Sequence, residues 1–254
     1  MEELSTQLNA ILLVSLRLVP TLAFAAPFTL LRIPASVRVL IAVALGAWLT
    51  ASFPELTTAK ITPGADMISL AAGELAVGVS ISLALQLAFA AILWAGQILD
   101  IQAGFGLAMV ADPTTQAQMP LAGTILAYAT AAVFFATGAH FDLLALWAAT
   151  LQALPMGYGV ALPDMAALGS LIGAVFAIAL GLAGLVILVL FLLDMAIAFM
   201  SRTLPQMNVL LLGFQVKSMA MLLTLPLAIA LSSGIFVRII SLALTRAPDL
   251  LGAP

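Results

Sequence analysis

Long apolar runs, separated by short links rich in proline, glycine or charge, divide the chain into six predicted helical blocks. The first runs from about Leu8 to Phe28, with Arg17 and Pro20 inside it, and the second from about Val37 to Phe53. The third, about Met67 to Ala103, is longer than one bilayer crossing requires, which predicts a bend or an extension beyond the lipid. The fourth covers about Leu121 to Leu154 and is interrupted near Gly138-Ala139-His140-Phe141-Asp142. The fifth runs from Asp164 to about Met200 and the sixth from about Met207 to Leu244, with Pro226 inside. Pro54 to Asp66, Gly104 to Pro120 and Pro155 to Pro163 read as loops, and Asp112-Pro113 as a helix start with the acid as cap.

The run from Met165 to Leu193 carries no charge of either sign, and residues 61–201 hold no Lys or Arg. At about 1.5 Å per residue, that uncharged run alone outreaches a hydrocarbon core of about 30 Å. Hydrophobic residues make up 64% of the chain and charged residues 7%, whereas about a quarter of an average soluble domain is charged. The predicted fold class is therefore all-α: a polytopic integral membrane protein of about six long, partly broken helices, forming one domain over residues 1–254. The acidic, polar start Met-Glu-Glu-Leu-Ser-Thr-Gln lacks the basic region of a cleaved signal peptide, so the first apolar block is expected to be retained.

The charges narrow the function by exclusion. Eleven acids against 8 bases leave no basic patch, so nucleic acid is not an expected partner. No cysteine is present, which removes disulfides and thiolate metal sites. His140, the single histidine, has no metal-ligating companion beside it in sequence and is expected at a helix end or interface. No nucleophile elbow, phosphate loop or metal-ligand spacing occurs, so neither an enzyme nor a cofactor is predicted. Arginine and lysine placement puts Arg32, Arg38 and Arg202 on one side under strict alternation and Lys60 and Arg246 on the other, too even a split to orient the chain.

Three groups of residues stand out. Gly169, Gly173, Ala177 and Gly181 recur at four-residue steps in the fifth block, a ridge that lets another helix approach closely. Glu74, Gln86, Gln97, Asp100 and Gln102 interrupt the third block. Gln86 and Gln97 lie three turns apart on one face. They fit either the lining of a polar conduit or hydrogen bonds between helices, with Asp100 near the headgroups. Asp194, Arg202 and Lys217 are the charges nearest the fifth and sixth blocks, and a structural ion pair is the expected use of charges so placed.

The segment Gly104-Phe105-Gly106-Leu107-Ala108-Met109-Val110-Ala111-Asp112-Pro113, followed by Gln118-Met119-Pro120, resembles the central loop of the FliR family, called SctT in virulence secretion systems. A second stretch is similar to the family's turn before the last helix. It runs from Asp194-Met195-Ala196 through Ser201-Arg202-Thr203-Leu204-Pro205-Gln206-Met207-Asn208 to Gly213-Phe214-Gln215-Val216-Lys217. Arg32-Ile33-Pro34-Ala35-Ser36-Val37-Arg38 resembles the family's early turn, and Asp142, Leu154-Pro155 and Gly157 sit where it has comparable residues. The resemblance covers nearly the whole chain in order.

The resemblance implies a subunit of the export gate of type III secretion. Such a protein joins two smaller families of helical-hairpin membrane subunits in a hetero-oligomer and passes unfolded proteins across the bacterial inner membrane. It would sit at the flagellar basal body or the base of a secretion system. Its helices would be bent hairpins, and predicted spans need not be true crossings. Gly104, Phe105, Gly106, Leu107, Met109, Val110, Asp112 and Pro113 would then form the gate or plug loop. Leu107 and Val110 stand where the family often has Phe, so the seal is less aromatic here. Two other readings share the composition. A small-molecule transporter would show an inverted repeat with matched broken helices or a membrane-buried ionisable cluster, and neither is seen in the sequence. A structural scaffold would not need the Gly-bracketed loop.

Overall fold

A computed structural model describes residues 2–58, 66–105, 120–156, 164–203 and 209–251. Every regular element among them is helical. In chain order these are α1 (Glu2–Phe24), α2 (Ala26–Thr29), α3 (Ala35–Ser52), α4 (Pro54–Thr58), α5 (Met67–Ala103), α6 (Leu121–Ala136), α7 (Ala139–Ala153), α8 (Met165–Thr203), α9 (Val209–Leu231) and α10 (Ser233–Arg246), then a 3-10 turn at Pro248–Leu251. Five helical segments are long and apolar enough to cross a membrane: Leu4–Phe24, Ala35–Ser52, Met67–Ala103, Met165–Thr203 and Leu211–Leu231. The pair α6 and α7, bent by 70° at its break, would make a sixth if it crosses as one span. The chain is an all-α polytopic membrane protein.

The prolines inside the helices do not interrupt them. Pro20 lies inside α1 and Pro226 inside α9, and neither ends its helix. The sixth block breaks instead at Ser232, after α9. Membrane helices tolerate such prolines. Pro20 has no N–H to offer the Leu16 carbonyl; that carbonyl lies against Gly78 of α5, and the Ser82 hydroxyl of α5 donates separately to the Pro20 carbonyl at 3.0 Å. Pro54 also departs from expectation. The stretch read as loop from Pro54 opens as α4, because proline's fixed φ suits a first helical position.

The chain divides into two compact units. The first comprises Met1–Ala88, Val133–Gly173 and Ile240–Pro254. In it α1 packs along α3, with Gly46 set against the backbone of Ser15, and the core gathers Leu13, Leu18, Leu49, Ile81, Phe134 and Trp147. Phe28, Phe134 and Phe135 meet edge to face in the same unit. The second unit comprises Phe89–Ala132 and Ala174–Ile239, with Phe89, Leu99, Leu126, Val186, Met221 and Phe236 in its core. Burial of these side chains is the main stabilising contribution inside each unit.

Candidate functional site

The second unit holds both ends of the glycine-rich segment singled out by sequence. α5 stops because Gly104 takes φ +92°, a left-handed conformation open to glycine at little cost. The Gly104 N–H then donates to the Ile101 carbonyl at 3.1 Å and the Phe105 N–H to the Asp100 carbonyl at 2.9 Å. That pair of bonds is the Schellman ending of a helix. Phe105 meets the Phe214 ring edge-on with centroids 6.3 Å apart, and a Cβ at Gly104 would come within 2.8 Å of Phe214.

The other end of the segment is fastened from α5 as well. Asp100 is 3% exposed, and both its carboxylate oxygens lie 3.1 Å from the backbone nitrogen of Ala122, which donates to them. The N–H groups of Leu121 and Gly123 act on the same carboxylate. Asp100 thus caps the first turn of α6 across the intervening segment, where an anion is favoured by the unpaired N–H groups and the helix dipole. One turn back, a Cβ at Gly96 would lie 2.1 Å from the Gly123 Cα, so the two backbones touch. Gly106, Leu107, Met109, Val110, Asp112 and Pro113 lie outside the described residues.

The charged residues near α8 and α9 divide. Lys217 Nζ lies 2.8 Å from Asp194 Oδ1, and the Gln102 amide donates to Asp194 Oδ2 at 3.0 Å. The pair is partly open, with the Lys217 side chain 17% and the Asp194 side chain 41% exposed. Arg202 is exposed and makes no ion pair among the described residues. The ridge on α8 is open: ideal Cβ atoms at Gly169, Gly173 and Gly181 meet nothing within 4 Å, and Ala177 is exposed. Gln86 and Gln97 are also exposed, and Gln86 donates to the Ser82 hydroxyl at 2.9 Å. His140 sits in the first turn of α7 beside the Phe135 and Phe141 rings.

One centre escaped the reading of the sequence. In the first unit Arg17 Nε donates to Glu74 Oε2 at 2.7 Å, with the two side chains 1% and 4% exposed. Arg17 Nη1 reaches the Thr150 hydroxyl at 3.3 Å, and Nη2 donates to the Leu154 carbonyl at 3.0 Å, at the end of α7. One guanidinium therefore joins α1, α5 and α7. The sequence offers only a partial signal: Arg17 is the single charge of the first block, but the third block holds both Glu74 and Asp100 as acids that could face it. Arg38 does similar work at the end of α1, where it donates to the Leu22 and Ala23 carbonyls.

Comparison with known proteins adds a family relationship. A family model described as bacterial export proteins, family 1, matches residues 8–243. The chain is 31% identical over 171 residues to the flagellar biosynthetic protein FliR of Escherichia coli (strain K12), covering 65% of this chain and 61% of that protein. It is 34% identical over 155 residues to the protein of the same name from Bacillus subtilis (strain 168), covering 58% and 59%. The corresponding protein of Aquifex aeolicus (strain VF5) is 27% identical over 200 residues, 77% of each chain. The match thus spans about three fifths of the Escherichia coli and Bacillus subtilis proteins.

Proposed function

The chain belongs to the bacterial export proteins, family 1, and on that premise we propose that it is a non-catalytic subunit of a flagellar or type III protein export gate. In this reading residues 1–254 act as one multi-pass inner-membrane domain that joins other export-gate membrane subunits and passes unfolded proteins. The carrying observation is the family match across residues 8–243 in a chain with five helices apolar enough to span a bilayer. The names of the relatives, flagellar biosynthetic proteins, favour the flagellar form.

Within that reading each sequence-predicted group has a task. Gly104 to Pro113 serves as the seal of the conduit, with Phe105, Leu107, Met109 and Val110 excluding water and ions as hydrophobic constrictions do. Methionine's unbranched, adaptable side chain suits closure around varied cargo. Gly169, Gly173, Ala177 and Gly181 form the face on which a neighbouring subunit's helix packs, consistent with their open surroundings. Asp194 and Lys217 steady α8 and α9, while the exposed Arg202 is left to pair with an acid of a neighbouring subunit. The test is deletion of Leu107 to Val110 in the assembled gate, followed by bilayer conductance. The reading expects assembly to persist and small ions to leak; a deletion variant as tight as wild type would remove the seal from this segment.

A further inference from the structure

We propose that Asp100 is the positioning residue of the 104–120 segment, a clasp on α5 that fixes the spacing of its two ends. The inference rests on the reading of that segment as the conduit's seal, but its geometry lies wholly in described residues. Asp100 is buried, precedes the Gly104 helix end by one turn, and accepts the Ala122 N–H with both oxygens at 3.1 Å. A carboxylate buried in an apolar surround is costly unless its lone pairs are filled, and the first-turn N–H groups of α6 fill them. The partners of Asp100 among the described residues are backbone N–H groups of α6. Its work is therefore to hold backbone. The Gly96–Gly123 contact brings the same two helices within touching distance one turn from the carboxylate, which keeps it in reach of those donors.

Phe214 adds a second fastening at the near end. Its ring lies against Gly104 and Phe105, and the Ser218 hydroxyl, one turn on, donates to the Phe214 carbonyl at 2.8 Å. The tightness of the seal then depends on a residue outside it.

The test places spin labels at Ile101→Cys and Leu121→Cys, both exposed and each one residue from the clasp, in a chain without native cysteine. A control pair, Leu4→Cys and Leu40→Cys, lies in the first unit. Distances are measured in the assembled complex for wild type, Asp100→Ala and the isosteric Asp100→Asn, alongside bilayer conductance. Loss of one cap interaction corresponds to about a fivefold rise in the population with separated ends. The expected result is a longer, broader 101–121 distance in Asp100→Ala, a smaller change in Asp100→Asn, an unchanged control pair and a raised ion leak. An unchanged 101–121 distance in both variants overturns the clasp, as does equal broadening of the control pair. Broadening without leak overturns its claim on the seal. A leak on deleting Leu107 to Val110 that Asp100 variants do not reproduce leaves the seal reading standing and refutes the clasp's claim on the seal.

Discussion

The helices α5 and α8 are nearly the same length, 37 and 39 residues, and both are strongly apolar, yet they treat their glycines in opposite ways. In α5, Gly78 lets the Arg17 carbonyl approach to where a Cβ would sit 2.4 Å away, and Gly96 admits the backbone of Gly123. In α8, Gly169, Gly173, Gly181 and Gly184 all face open space. The most apolar window of α5 is 61% buried and that of α8 only 33%. The small-residue ridge of α8 thus lies open among the described residues, while Gly78 and Gly96 of α5 each mark a backbone contact within a unit. In the function proposed above, α5 serves the chain's own fold and the open glycines of α8 are left for a neighbouring subunit's helix.

The largest test of α5's commitment is its buried charge. Glu74→Ala leaves Arg17 buried without its carboxylate, an expected loss of roughly 3–5 kcal/mol, read as a lowered thermal midpoint in detergent. Replacing both partners, Arg17→Met with Glu74→Leu, should recover most of it, because the uncompensated charge is removed as well. A single variant that melts like wild type would break the contrast at its strongest point. Next in size, Gly78→Ala drives a methyl into the Arg17 carbonyl, expected to cost about 1–3 kcal/mol as overpacking; an unchanged midpoint would mean α1 and α5 separate freely. The smallest effect on the chain alone has the reverse sign. Gly173→Ala meets nothing, so relief of glycine's conformational cost should stabilise the isolated chain by about 0.5–1 kcal/mol, while Gly173→Leu should lower recovery of the assembled complex. Arg202→Ala sharpens the same point: the isolated chain should melt unchanged and complex recovery should fall.

Much of this architecture is legible in the sequence, for identifiable reasons. The third block, Met67 to Ala103, coincides with α5 because no proline interrupts it and Gly104 ends it with the conformation that a helix terminus favours. The bend near Gly138 is equally plain, since Gly138 takes φ +80° between α6 and α7. Pro20, read as a kink or break, does not end α1, because the rule that proline ends helices was learned in water, whereas Pro226 lies inside α9 as it lies inside the predicted block. The Asp194–Lys217 pair follows from two opposite charges in neighbouring blocks. The Arg17–Glu74 pair and the Asp100 cap do not follow, because each joins segments whose proximity no local pattern encodes. The Gly96–Gly123 contact is hidden for the same reason: a single glycine carries no period, and its meaning lies in the backbone opposite.

The central claim, that this chain is one subunit of a hetero-oligomeric export gate with α8 facing its neighbours, is tested most directly by native mass spectrometry. The tagged chain would be extracted from membranes that co-express the two hairpin subunit families. The account predicts a defined complex containing both families, lost or weakened when Gly173→Leu is introduced. A wild-type chain recovered as a stable, monodisperse monomer, with neither family bound, would contradict it.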